Sequence, residues 1–460
     1  MAGKVQGAER LSLVRTGPER TLPGRLLGAS SEALLEHLID NPPKVAIARE
    51  MQLGYVCFPG GSQSSYYNWR TGLIDIPEKR DSSAYVKFWA RIAPKIRRAF
   101  PRGVTMHDYR PFAESIGAEA ILVPNLETSS VADQTAWFRK LQAGNDLPTH
   151  IELGNEFYLG MLNDPDSMRR WPDLPATMVV TRAYTQALRP LCPAGTKFAV
   201  QAAGSEFHWT QPSQAIRPFQ RRQVSWDTGL KPEPWFEAVT IHLYPDSVAT
   251  LGYPHGATPA LTDTFRARLF SALLGRVDAG TDRALGRLAA RLPGKEIWIT
   301  EWNPRGGNPD FSYDPVTPPM NMHLTARMTL AILRHPEVTA SLFFMLNFAP
   351  DRPFFPLRAR RARRISADGH SHCPALVQRG GHRRRVVPAL CRAGGGAGGG
   401  RRRSTGVLPG GRSGPVPPEG RRDPHHPERF APSSGGQSNP GVAASPQTGP
   451  RRDPCDGGPV

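Results

Sequence analysis

Two glutamates stand where apolar runs stop. His150-Ile151-Glu152-Leu153 gives way to Gly154-Asn155-Glu156-Phe157-Tyr158, and Glu296-Ile297-Trp298-Ile299-Thr300 gives way to Glu301-Trp302-Asn303. Two carboxyl groups flanking one bond are the chemistry of glycoside hydrolysis. At a separation of about 5–5.5 Å, one attacks the anomeric carbon while the other serves as acid and then base. On this reading Glu301 is the nucleophile and Glu156 the acid/base. Asn155, beside Glu156, is suited to hydrogen-bond the sugar 2-hydroxyl. Between the two runs lies Ile241-His242-Leu243-Tyr244-Pro245. At a side-chain period of two, His242 and Tyr244 face the same way, and both are read as holding the nucleophile by hydrogen bonds. Trp69 and Trp302, with Phe157, Tyr158 and Trp209, are candidates for stacking on a sugar face, Trp302 foremost because it follows Glu301. No phosphate-binding loop, zinc spacing or Ser-His-Asp order is present, so no cofactor and no metal is expected. His370, His372, Cys373 and His382 are read as an accidental grouping.

Such residues need elements that bring them to one place. Short apolar runs rich in β-branched residues alternate with amphipathic stretches, the pattern of parallel strands joined by helical crossovers. Strands are expected at Gly24–Ala29, Gly54–Phe58, Glu119–Pro124, His150–Leu153, Lys197–Ala202, Ala238–Leu243, Glu296–Thr300 and Val338–Leu346. Helices are expected within Ser31–Gln52 and at Tyr85–Ala99, His107–Ile116, Val131–Ala143, Ala176–Leu191, Leu261–Leu292 and Asn321–Arg334. Eight strands fit an α/β fold closed as a (β/α)8 TIM barrel, whose site lies at the carboxyl ends of the strands. A doubly wound sheet is the alternative. It lacks support, because no Gly-x-Gly-x-x-Gly opens a helix after an early strand.

With these motifs in hand, the chain resembles the superfamily of retaining glycoside hydrolases with catalytic glutamates on barrel strands four and seven. The α-L-arabinofuranosidase and heparanase-like families are nearest. The resemblance rests on Phe58-Pro59-Gly60-Gly61-Ser62, Tyr67-Asn68-Trp69-Arg70, Glu152-Leu153-Gly154-Asn155-Glu156 and Thr300-Glu301-Trp302-Asn303, and on Val123-Pro124-Asn125 closing a third strand. It spans roughly residues 20–356 and implies an oligosaccharide or polysaccharide substrate, with Asn125 among the substrate-binding residues. An α-L-arabinofuranoside is the first choice of substrate, followed by a β-glucuronide or β-xyloside. Two departures stand out. Where these families carry an Arg before the aromatic-Pro-Gly-Gly turn, this chain has Cys57, read as a small buried residue. They also continue past strand eight into a last barrel helix and a β-sandwich, both expected to be missing here.

Composition changes near Leu357. The chain carries a formal charge of +18, and the stretch from Arg358 onward holds 19 Arg, no Lys and 6 acidic residues, which is +13 of that total. One aromatic, Phe430, occurs there. So apolar-poor a segment does not offset its ordering entropy. It is expected to be a disordered basic tail over 357–460, of the composition that out-of-frame translation of a GC-rich gene produces. A disordered N-terminus is expected over 1–19 and the barrel over 20–356. With most of the charge in the tail, nucleic acid is not an expected partner of the barrel. The five cysteines, Cys57, Cys192, Cys373, Cys391 and Cys455, form no disulfide framework. Neither a signal peptide nor a membrane-spanning run is found, so the chain is read as cytoplasmic. Besides the hydrolase, two further readings are an inactive carbohydrate-binding descendant and a nucleic-acid binder built on the tail.

Overall fold

A computed structural model describes residues 21–344, apart from 32, 35–38, 40, 79–81, 209–216, 246–248, 254–256 and 305–315. The segments 1–19 and 357–460, Trp209 and any helix or sandwich after strand eight lie outside the described residues. Eight parallel strands close a barrel: β1 (Leu27–Ser30), β2 (Tyr55–Phe58), β3 (Glu119–Leu122), β4 (His150–Glu152), β5 (Lys197–Gln201), β6 (Ala238–Leu243), β7 (Glu296–Trp302) and β8 (Val338–Phe344). β8 returns to β1 in register from Leu27 opposite Ser341 to Ser30 opposite Phe344, which leaves no edge. Chain order equals ring order throughout, the (β/α)8 arrangement.

The main crossover helices are α1 (Pro42–Glu50), α2 (Ala84–Ala99), α3 (Met106–Ser115), α4 (Val131–Ala143), α5 (Leu174–Leu188), α6 (Pro218–Gly229), α7 (Asp263–Gly275), α8 (Thr281–Arg291) and α9 (Pro318–Leu333). Local chemistry sets their starts. Ser83, Thr105, Ser130, Asp173 and Thr262 each accept a hydrogen bond from a backbone N–H of the first turn they precede, satisfying a donor the helix cannot. Among the described residues of Ser31–Gln52, the helix runs from Pro42, and prolines 42 and 43 are pre-set for its first turn. The stretch Leu261–Leu292 is two helices joined by a π-helical turn, Arg276–Gly280. Gly280 ends that turn where a Cβ would stand 3.0 Å from the carbonyl oxygen of Phe207. Among the described residues, no helix is long and apolar enough to cross a membrane.

Alternation divides the side chains of each strand. Val56, Phe58, Leu122, Ile151, Phe198, Val200, Val239, Ile241, Ile297 and Ile299 join the core under the helices. Tyr55, Cys57, Ile121, Val123, Ala199, Ala238, Trp298, Ala340 and Leu342 form a separate inner cluster. The small Ala199, Ala238 and Ala340 leave room for the indole of Trp298, so the inside is packed rather than open. Toward the carboxyl ends the inner face turns polar, and there the candidate site begins.

Candidate active site

β6 and β7 pair from Ala238 opposite Glu296 to Thr240 opposite Trp298; His242 then pairs with Glu301. Two steps along β6 match three along β7, so β7 carries a bulge with one extra residue. Strict alternation would turn Glu301 away from the face that Thr300 occupies. The bulge lets both neighbours point inward, the re-aiming of a side chain that bulges provide beside functional sites.

Glu156 reaches the same place by a different device. It follows β4 in a left-handed backbone conformation, φ 49° and ψ 40°, which costs a residue with a Cβ roughly 1–2 kcal/mol. The turn is clamped from outside. Phe157 N–H donates to Gln201 Oε1 (2.8 Å) at the end of β5. Arg222 of α6 donates to the carbonyls of Phe157 (3.0 Å) and Tyr158 (2.8 Å). Phe157 stacks on Trp171 with centroids 3.8 Å apart. Gly154 has φ +83°, and a Cβ there would lie 2.0 Å from the Phe157 ring, so only glycine lets the ring close over the turn.

The structure brings Glu156, His242, Tyr244 and Glu301 together. Tyr244 Oη donates to Glu301 Oε2 (2.7 Å), and His242 Nδ1 lies 2.9 Å from Glu156 Oε1 and 3.7 Å from Glu301 Oε2. His242, expected on the nucleophile, therefore hydrogen-bonds the other carboxylate. Tyr158, expected as a stacking surface, is buried with its hydroxyl donating to Glu156 Oε1 (3.1 Å). Asn155 is buried next to Glu156.

Three other expected residues make their contacts away from Glu156 and Glu301. Asn125 donates to Tyr67 O and Thr128 Oγ1 and accepts from Thr128 N–H, so its amide is engaged in ordering the loop between β3 and α4. Trp69 is half-buried, donates to Asp133 (3.3 Å) and has the Arg70 guanidinium over its ring at 4.3 Å. Trp302 is 3% exposed and meets Phe343 edge-on in the core under the helices; the bulge that turns Glu301 inward turns its neighbour out.

Glu152 is the residue the motif reading passed over. It is buried, and its Oε1 accepts from Thr300 Oγ1 (2.9 Å), which lies 3.1 Å from His242 Nε2. The single hydroxyl proton of Thr300 goes to Glu152, so Thr300 accepts from His242 Nε2–H. The period-two pattern placing Glu152 on one face with His150 was the available signal; Thr300, Gln201 and Arg222 carried none. Burial opposes a charge on His242, but Glu301, Glu152 and Glu156 outweigh it and hold the imidazole well above its usual range. Burial pushes Glu301 up to about 7, against the pull of His242 and Tyr244 and with the push of Glu156 and Glu152. Among the described residues, His242 is the one cation within ion-pair distance of these three carboxylates. Cys57 lies inside the barrel with Sγ 3.1 Å from Ser30 Oγ. Burial pushes its thiol up to about 12, so it is inert as a nucleophile. Cys57 and Cys192 are free thiols.

A closed parallel barrel with two glutamates at the mouth ends of β4 and β7 defines the structural class. Solved structures similar to this chain are glycoside hydrolases. The GH51 arabinofuranosidase from Xanthomonas axonopodis pv. citri is 15% identical, with 72% of this chain and 68% of that one covered and a TM-score of 0.48. For the α-L-arabinofuranosidase from Thermotoga maritima the values are 12%, 70%, 64% and 0.43. For the family 44 xyloglucanase from Paenibacillus polymyxa they are 11%, 73%, 74% and 0.45. The chain thus spans about two thirds of the length of these arabinofuranosidases. No protein-family model and no curated protein matches the sequence.

Proposed function

We propose that this protein is a retaining glycoside hydrolase with Glu301 as nucleophile and Glu156 as acid/base. The observation that carries the reading is the closeness of the two carboxylates: one oxygen of Glu156 and one of Glu301 lie within 4.8 Å of each other. Direct attack by a carboxylate needs about 5–5.5 Å between the carboxyl groups, whereas inversion needs about 6.5–9.5 Å to admit a water between them. The surroundings support the division of roles. Glu301 Oε2 is held by Tyr244, which leaves Oε1 to attack the anomeric carbon. Glu156 Oε1 already faces two donors, His242 and Tyr158, so Oε2 is the atom to protonate the leaving oxygen and later to take a proton from water. The Glu156 side chain is 19% exposed against 9% for Glu301. Proton exchange with solvent suits the first, and a water-excluded covalent intermediate suits the second.

For the sugar, we propose an α-L-arabinofuranoside, on the likeness of the Pro59-Gly60-Gly61 and Tyr67-Asn68-Trp69-Arg70 motifs to that family. The test is release of p-nitrophenol from aryl α-L-arabinofuranoside, β-D-glucuronide, β-D-xyloside and β-D-glucoside. The parent is expected to cleave one of them, and Glu301→Ala to lose turnover by several orders of magnitude while keeping its circular dichroism. Glu156→Ala should lose far less on the nitrophenyl glycoside, whose leaving group needs little protonation, than on an alkyl glycoside of the same sugar. Undiminished turnover in Glu301→Ala would refute the assignment. A second reading, sugar binding without turnover, is favoured by Cys57 standing where the resembled families carry Arg. Saturable sugar binding by a folded parent that releases no p-nitrophenol from any substrate would select it.

A further inference from the structure

We propose that His242 Nδ1, Glu156 Oε1 and Glu301 Oε2 form a binding site for a divalent cation of the zinc class. The three residues stand at three different strand ends, and one donor atom from each lies within 4.8 Å of the other two. Two of the edges measure 2.9 and 3.7 Å. Ligands about 2.0–2.2 Å from a tetrahedral ion lie roughly 3.3–3.5 Å apart, so the donors bracket the required edge and need only small adjustments. One imidazole nitrogen and two carboxylate oxygens are donors of the kinds that zinc takes.

The outer contacts fit the same purpose. A ligating imidazole needs its other nitrogen fixed by a hydrogen bond, most often toward a carboxylate. Here Nε2–H is given to Thr300, whose own proton goes to Glu152; Nδ1 faces the two glutamates, and the ion takes the place of the proton that Nδ1 shares with Glu156, which is released to solvent. Each carboxylate has its own phenol donor, Tyr158 on Glu156 and Tyr244 on Glu301. The charge balance adds an independent argument. Three buried or half-buried carboxylates face a single imidazole, with no Lys or Arg within ion-pair distance among the described residues, so once its carboxylates are ionised the cluster carries more negative than positive charge, which suits a divalent cation. Access is from the Glu156 side, the most exposed of the three. If the hydrolase reading holds, the ion ties up both carboxylates and excludes the sugar. The binding itself does not depend on that reading.

Calorimetry with Zn2+ on the chelator-treated full chain tests the site, with the visible spectrum of Co2+ as a second probe. The residues after 357 include His370, His372, Cys373 and His382, so the readout is the difference between parent and variants. One equivalent is expected to vanish in His242→Ala and in Glu301→Gln, together with the tetrahedral Co2+ bands. Thr300→Val should weaken that equivalent about 10–100-fold. Unchanged stoichiometry in all three folded variants, or the absence of Co2+ bands in the parent, overturns the proposal. Zinc binding together with no hydrolysis by the chelator-treated, metal-free chain supports this site and counts against the hydrolase; hydrolysis by that chain without zinc binding does the reverse.

Discussion

At the residue scale, the role proposed for Glu301 sets two opposed demands. Attack needs a carboxylate, yet burial pushes its proton affinity up to about 7, with His242 and the Tyr244 hydroxyl pulling it down. The rate should therefore rise with pH through about 7, and the limb of kcat/KM reports this group in the free enzyme. Tyr244→Phe removes one of the two downward pulls. A hydrogen bond to a charged group contributes about 1.5–3 kcal/mol, so the acidic limb should move up by about one pH unit or more. The variant should then lose more rate at pH 6 than at pH 9, measured in chelator-treated protein; a limb that stays in place would contradict the role given to the hydroxyl. The two glutamates and the His-x-Tyr pair were legible in the sequence, because strand ends and a period of two are local properties. Which carboxylate His242 meets was not legible. That depends on differences under 1 Å (2.9 against 3.7 Å) set by three strands at once.

At the element scale, the placement of both glutamates is a matter of backbone. The strand ends were readable from where apolar runs stop, and Gly154 marked a turn. The bulge in β7 leaves no local trace, since one extra residue changes no composition, and the burial of Trp302 against Phe343 could not be read for that reason. Trp302→Ala should behave as the loss of a core side chain, lowering stability by about 3–5 kcal/mol in urea denaturation with KM unchanged. A raised KM at unchanged stability would return the ring to the substrate. The clamp on the Glu156 turn was also hidden, because Gln201 and Arg222 lie 44 and 65 residues from Phe157. Arg222 reaches two backbone carbonyls of that turn as well as those of Trp171 and Pro172. Arg222→Ala should free the left-handed residue to relax, reducing kcat about tenfold or more with a smaller change in KM. Arg222→Lys, which keeps the charge but not the fork, should restore little.

At the scale of the whole molecule, the two ends of the barrel respond to pH in opposite senses. At the amino-terminal rim, burial alone would raise Glu119, but hydrogen bonds from His150, Thr149 and Arg25 outweigh it and hold the carboxyl down at about 2. Glu296 is also lowered: burial works against it, and Lys197, Trp298 and Thr339 prevail. These two groups tie β1, β3 and β4, and β5, β7 and β8, respectively. Their stabilisation is complete above the ordinary glutamate value of about 4.5 and is lost as pH falls toward 2. At the mouth the sign reverses. Glu301 is raised to about 7 by burial, as is Asp227, which burial and Glu206 push up while it accepts from Ala203 and Ser205. Between their ordinary values and about 7 the folded chain holds protons that the unfolded chain has released, so stability falls as pH rises through that window. His242, also raised, contributes fully below about 6.5 and progressively less above it. The sum places maximal thermal stability near pH 4.5–6, below the pH at which Glu301 is ready to attack. The melting temperature should drop by several degrees from pH 5 to pH 8. Glu301→Gln, which cannot ionise, should melt higher than the parent at pH 8 and close to it at pH 5. A parent melting temperature that is flat or rising over that range would show that the mouth does not hold its carboxyl groups under strain. The expected result would mean that the buried charge needed for attack is maintained against the stability of the fold, with the ion pairs at the opposite rim keeping the barrel closed.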